Sequence, residues 1–191
     1  MRGPHAAVLV DNIFLIGPMG SGKTSLGKRV APRLGLEFVD LDEELERRCG
    51  VEVAVIFDIE GEAGFRERER RLMAEIAERR GQLVATGGGV VLDPHNRDVL
   101  RRSGSVVWLD ASVSQQLRRL ERDKRRPLLA APDRRERLTA MAEMRNPIYA
   151  ELADIVFESR NRPLVQMAAA LERTIRSFLE RNGNATCQSS K

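Results

Sequence analysis

Gly17-Pro18-Met19-Gly20-Ser21-Gly22-Lys23-Thr24 has the residue types and spacing for one chemistry, the holding of a nucleotide's phosphates. Glycines leave room for backbone N–H groups to converge on phosphate oxygens. Lys23 adds a positive charge for the β- and γ-phosphates, and Thr24 offers a hydroxyl to magnesium. The apolar run at residues 13–16 reads as a buried strand, and Ser25-Leu26-Gly27-Lys28-Arg29-Val30 continues in a helical pattern. The helix N-terminus favours the same anion. The alternative, a glycine-rich surface turn, does not account for the strand and helix on either side.

Further along, Asp40 and Asp42 alternate at strand-like spacing where the second apolar run ends. A magnesium contact and a substrate contact fit such a pair, and so does a plain role in opening and capping the next helix. In Gly61-Glu62-Ala63-Gly64-Phe65-Arg66, the arginine has Glu69 on the same helical face. Arginine so held suits bidentate binding of a carboxylate, although an ordinary surface ion pair looks the same in sequence. Gly87-Gly88-Gly89 permits close approach of backbone to a ligand, or is a flexible strand-to-helix turn. From residue 118 to 135 the chain is densely basic and carries Pro127-Leu128-Leu129, which suits a mobile cover over phosphates, with Arg125 and Arg126 as charge-neutralising candidates. A solvated basic loop is the competing account. Asp58-Ile59-Glu60-Gly61 mimics the DxxG of GTPases, but no NKxD guanine-reading sequence accompanies it; His5 and His95 fall outside every cluster.

These residues need a frame that brings distant loops together. Candidate strands at 12–16, 36–39, 83–86, 106–109 and 154–157 alternate with helical stretches. Such alternation predicts an α/β fold: right-handed crossovers, a five-stranded parallel sheet with helices on both faces, and ligands beyond the carboxyl ends of the strands. The phosphate-binding turn, Asp40 with Asp42, and the triple glycine all fall in loops at that rim. The chain's 191 residues suit one domain, here residues 1–182, followed by a disordered polar tail at 183–191. A net charge of +4 suits anionic ligands, but much of the charge alternates in sign along residues 62–80, as on a solvated helix. There is no aromatic stacking platform or nucleic-acid motif. Cys49 and Cys187 form neither a CxxC pair nor a disulfide scaffold, and no signal peptide or membrane span is legible. The expectation is a cytoplasmic monomer without nucleic-acid or membrane partners.

Taken together, GPMGSGKT, Asp40-x-Asp42, GEAGFR with Glu69, TGGGV, RPLL and Arg145-Asn146-Pro147-Ile148-Tyr149 resemble the shikimate kinase family in order and spacing, over residues 13–149. The resemblance implies a three-layer P-loop fold of the nucleoside-monophosphate-kinase type and transfer of the γ-phosphoryl of ATP, with Mg2+, to the 3-hydroxyl of shikimate. It implies that Gly20, Ser21, Gly22, Lys23, Thr24 and Ser25 bind the triphosphate, with Thr24 and Asp40 serving the metal. Asp42 would orient the substrate and accept the proton of the attacking hydroxyl. Arg66 and Arg145 would grip the carboxylate, with Glu69 orienting Arg66 and Gly87, Gly88 and Gly89 lining the pocket. The substrate-binding region would span about residues 40–80 and a mobile lid about 119–134. Arg126 is the lid arginine by its register with RPLL, and Lys23 and Arg126 would act on the transferring group. Arg119 resembles a family lid position and Arg160-Asn161-Arg162-Pro163 resembles the family's adenine-side loop, which makes Arg119 and Arg162 candidates for ATP binding.

Overall fold

The computed structural model describes residues 11–120, 133–158 and 162–188, with 183–188 described by backbone alone. Five parallel strands, β1 (Asn12–Ile16), β2 (Glu37–Asp40), β3 (Gln82–Ala85), β4 (Gly104–Asp110) and β5 (Ile155–Glu158), form one sheet in the order β2-β3-β1-β4-β5. The helices are α1 (Lys23–Leu34), α2 (Leu41–Cys49), α3 (Val53–Ala77), α4 (Pro94–Ser103), α5 (Val113–Leu120), α6 (Arg134–Leu152) and α7 (Leu164–Gln188). β1 is central because it is apolar on both faces, as a strand covered by helices on each side must be. Phe14 and Ile16 enter a core shared with α2, α3, α4 and α6, whereas Ile13 and Leu15 enter a second core built with α1 and α7. The three-layer α/β expectation holds.

β1 has the expected bounds, whereas β2, β3 and β5 each slide by one residue and β4 starts earlier, at Gly104. Contacts in the fold account for the shifts of β2, β5 and β4. The Leu36 amide bonds to the Ala31 carbonyl at 2.9 Å and so closes α1 instead of starting β2. Asp154 caps the sheet through its side chain, accepting from the Val106 amide at 2.7 Å. Gly104 and Ser105 carry no apolar signal, yet they pair with Asn12 and Ile13. The tail expected to be disordered from residue 183 instead begins as a continuation of α7 to Gln188. Once a helix is nucleated, each added residue gains a hydrogen bond at little extra cost, so a short polar stretch can be carried along.

Two glycines set the position of the rim. Gly22, at φ 98°, turns the chain into α1, a left-handed conformation that other residues rarely adopt. Gly27 faces the Phe38 ring so closely that a Cβ would overlap it, so α1 lies directly on β2 and Thr24 comes beside Asp40. In α3 the backbone breaks at Gly61 (φ 68°, ψ −177°), and the two halves are stapled by Phe57 stacked on Phe65 at 4.4 Å. Most of the expected lid falls at residues 121–132, outside the described residues, and Arg125 and Arg126 fall there too. No helix among the described residues is long and apolar enough to cross a membrane.

Candidate active site

The loop between β1 and α1 is held by its own lysine. Lys23 is 9% exposed and donates to the carbonyls of Gly17 and Pro18 at 2.7 and 2.8 Å, which draws the loop round its ammonium group. Gly17 follows β1 at φ +135°, and a Cβ there would strike the Leu109 carbonyl at 2.6 Å. Arg119, at the end of α5, donates to the carbonyls of Gly20 and Ser21 at 2.9 and 3.1 Å. Burial lowers its pKa, with Arg118 adding to the effect. Because each peptide is planar and trans, carbonyls turned toward Arg119 set the N–H groups that follow them on the opposite edge, and the Ser21 amide bonds to the Pro18 carbonyl at 3.2 Å.

Asp40 serves two purposes through its two oxygens. Oδ1 accepts from the amides of Asp42 and Glu43 at 3.0 and 3.3 Å, capping α2, while Oδ2 accepts from the Thr24 hydroxyl at 2.6 Å. The capping reading of this aspartate therefore holds, and its other oxygen is engaged by the Thr24 hydroxyl. Thr24 and Asp40 place a hydroxyl and a carboxylate oxygen side by side at the loop, hard donors of the type magnesium takes. No cluster of three or more His, Cys, Asp or Glu suited to a metal occurs among the described residues. A pair of oxygens fits magnesium, which keeps waters and phosphate oxygens as its other ligands.

The second half of the site is assembled on Gly87-Gly88-Gly89. Each glycine makes room for a different group. A Cβ on Gly87 would lie 2.7 Å from Glu69 Oε1 and 3.2 Å from Asp42 Oδ1, and one on Gly89 would overlap the Arg66 guanidinium. A Cβ on Gly88 would reach Met19 N at 3.4 Å and Arg145 Nη1 at 3.8 Å, so the turn abuts the phosphate loop. Arg66 donates to Glu69 Oε2 at 2.6 Å and lies 5.2 Å over the Phe65 ring, and Arg145 approaches the Gly88 carbonyl at 3.5 Å. Two arginines, two carboxylates and bare backbone thus converge beside a phosphate-binding loop. That arrangement can hold a small anionic acceptor against a nucleotide's terminal phosphate.

Not every expected residue joins this constellation. Ser25 is exposed on α1, and Arg162 is exposed between β5 and α7 without a hydrogen bond or ion pair among the described residues. Arg119 touches the phosphate loop itself. Tyr149 ends the Arg145-Asn146-Pro147-Ile148-Tyr149 motif and carried no role in the sequence reading, yet its hydroxyl donates to the Gly88 carbonyl at 2.5 Å. Its position four residues after Arg145 on one helix was the available signal.

Glu69 is 3% exposed, and its Oε1 is buried without a hydrogen-bond partner among the described residues. Burial pushes its carboxyl above the ordinary glutamate range; Arg66 opposes this, and the charges of Asp42 and Asp93 add to it. A carboxyl raised in the folded state contributes stability that is full below its unfolded pKa and is lost as pH rises through its folded pKa. The melting temperature of the wild type minus that of Glu69→Gln is therefore expected to fall as pH rises from the ordinary glutamate range toward neutrality and above. Thermal melts across that range check this, and a difference that grew with pH would mean that Arg66 outweighs burial.

Known proteins resemble this chain in sequence and in fold. The sequence model described as shikimate kinase matches residues 19–179. A shikimate kinase of Bordetella avium is 52% identical over 159 residues, 83% of this chain and 76% of that protein. The structure of the Acinetobacter baumannii shikimate kinase in complex with shikimate superposes with a TM-score of 0.83 at 40% identity, covering 91% of this chain and 94% of that one. A gluconokinase of Sinorhizobium meliloti reaches a TM-score of 0.54 at 17% identity, over 96% of this chain and 99% of its own, a likeness of fold alone. With the family's sequence matched over most of its length and the phosphate loop, paired arginines and glycine turn in one cleft, this chain belongs to the shikimate kinase family.

Proposed function

We propose that this protein transfers the γ-phosphoryl group of ATP to the 3-hydroxyl of shikimate, giving shikimate 3-phosphate and ADP. The observation that carries this reading is the meeting of Arg66, Arg145, Glu69 and Asp42 on the Gly87-Gly88-Gly89 turn, in contact with the loop that holds Lys23. The two guanidinium groups suit a carboxylate, which each can bind through a planar pair of N–H groups. A substrate so gripped presents its ring hydroxyls toward Asp42.

In the proposed reaction the 3-hydroxyl oxygen forms a bond to the γ-phosphorus as the bond from that phosphorus to the bridging oxygen breaks. The hydroxyl proton passes to the Asp42 carboxylate, and ADP leaves with the bridging oxygen. Such transfers go through a loose transition state, so alignment of the two substrates contributes more than a strong base. Gly20, Ser21, Gly22 and Ser25 would bind the phosphates from the start of α1, and Lys23 would exchange its loop carbonyls for phosphate oxygens. Thr24, held by Asp40, would ligate magnesium, which when bound neutralises charge on the phosphates. By the family pattern Arg126 would meet those phosphates from the opposite side, and Arg119 and Arg162 would lie toward the adenine.

The test is ADP release by purified protein with magnesium and ATP, with shikimate, gluconate or AMP as the acceptor. Shikimate alone should stimulate turnover strongly. Stimulation by another acceptor, or by none, would overturn the assignment.

A further inference from the structure

Tyr149 has no part in the chemistry described above, although it is among the largest fully buried side chains of the protein. Its ring packs beside Trp108 at 5.8 Å, in the core under the cleft. Its hydroxyl emerges at the floor of the glycine turn, where it donates to the Gly88 carbonyl at 2.5 Å. Arg145, one helical turn earlier on α6, approaches the same carbonyl at 3.5 Å. Burial lifts the phenol to about 12, against the opposing pull of Arg145 and Arg66, so it stays a neutral donor at ordinary pH.

A trans peptide is planar, with its C=O and N–H on opposite edges. Anchoring the Gly88 carbonyl toward α6 therefore turns the Gly89 N–H away from α6. That N–H and the N–H of Gly88 make no backbone hydrogen bond among the described residues, and Gly89 lies against the Arg66 guanidinium. Three glycines in a row have wide rotational freedom, and no side chain within the turn holds this peptide in one orientation. Tyr149 is placed to do so.

We infer that Tyr149 is a positioning residue, whose hydroxyl holds the Gly88 carbonyl so that the Gly88–Gly89 peptide presents its N–H to a carboxylate-bearing acceptor lying between Arg66 and Arg145. The inference rests on the reading of the cleft given under Proposed function. It also explains why a tyrosine, with a donor at its tip, fills a core position that phenylalanine would fill equally well by shape.

Tyr149→Phe keeps the ring and removes only the donor. Loss of one such hydrogen bond in a bound state should raise the KM for shikimate roughly 3- to 30-fold, with the KM for ATP within about twofold and the melting temperature nearly unchanged. A purely structural tyrosine would change the melting temperature, or both KM values together. An unchanged KM for shikimate in a folded Tyr149→Phe variant would overturn the inference while leaving the cleft's assignment intact. A wild type that ignores shikimate would instead overturn the assignment and the inference with it. Because the chain has one tyrosine, 3-fluorotyrosine labels this position alone and needs no substitution. Its 19F resonance should move on addition of shikimate without nucleotide, and a resonance indifferent to saturating shikimate in an active enzyme would count against the inference.

Discussion

Replacing Asp42 by Asn is expected to lower turnover by a factor of about 10² to 10⁴ and to leave the affinity for ATP within about twofold. The substitution is nearly isosteric and keeps one oxygen that can accept a hydrogen bond from the substrate. It removes the charge and the capacity to take up a proton as the new phosphorus–oxygen bond forms. Asp42 stands in the first turn of α2, with its amide bonded to Asp40, and its Oδ1 lies 3.2 Å from where a Gly87 side chain would begin. That places it with Glu69 and the glycine turn, whereas the proposed nucleotide ligands Lys23 and Thr24 stand at the start of α1. Folding should not suffer, because the Asp42 charge acts against ionisation of the buried Glu69. Steady-state kinetics with nucleotide titration would decide the matter. Equal losses in turnover and ATP affinity would move Asp42 to the nucleotide side of the cleft.

The split between the two sides of the cleft was partly legible in the sequence, for reasons that differ from residue to residue. The phosphate loop could be read because its function is carried by backbone groups whose geometry demands glycine at fixed spacing, as Gly22 at φ 98° bears out. β1 could be bounded because a strand covered on both faces carries a continuous apolar run, here residues 13–16 behind Asn12, but Gly104 and Ser105 join β4 only because Asn12 and Ile13 lie opposite them. That pairing is tertiary and leaves no mark on the local pattern. Asp40 was ambiguous in sequence because one carboxylate can cap a helix and reach a neighbouring loop at once, as its two oxygens do with the α2 amides and the Thr24 hydroxyl. The triple glycine could be marked as a close-approach site, but sequence cannot say that Gly87 faces Glu69, Gly88 faces Arg145 and Gly89 faces Arg66. Those contacts join α3 and α6 across the turn. Tyr149 stands in its motif without a role legible in sequence because a lone aromatic at helical spacing is most often plain core, and here it is core whose hydroxyl reaches the Gly88 carbonyl.

Arg66→Lys should raise the KM for shikimate about 10- to 100-fold, the loss of a charge-assisted, two-pronged contact, while the KM for ATP stays within about twofold. Net charge is conserved, so the effect isolates geometry. The guanidinium is committed on several sides at once: Nη1 donates to Glu69 at 2.6 Å, Nη2 approaches Glu62 at 3.4 Å, and the plane lies over the Phe65 ring. A planar cation with five N–H donors can satisfy Glu69 and still present a pair of donors to a carboxylate. A lysine ammonium is a point charge on a flexible stem, and Glu69, buried beside it, would compete with the substrate for its donors. The shorter, unforked side chain would also leave the space that the glycine at 89 keeps clear for the guanidinium. kcat should fall less than kcat/KM, because the carboxylate contact is made in the bound state as well as in the transition state. Initial rates over a shikimate range at saturating ATP check this, and an unchanged KM for shikimate would remove Arg66 from the acceptor pocket despite its place on the glycine turn.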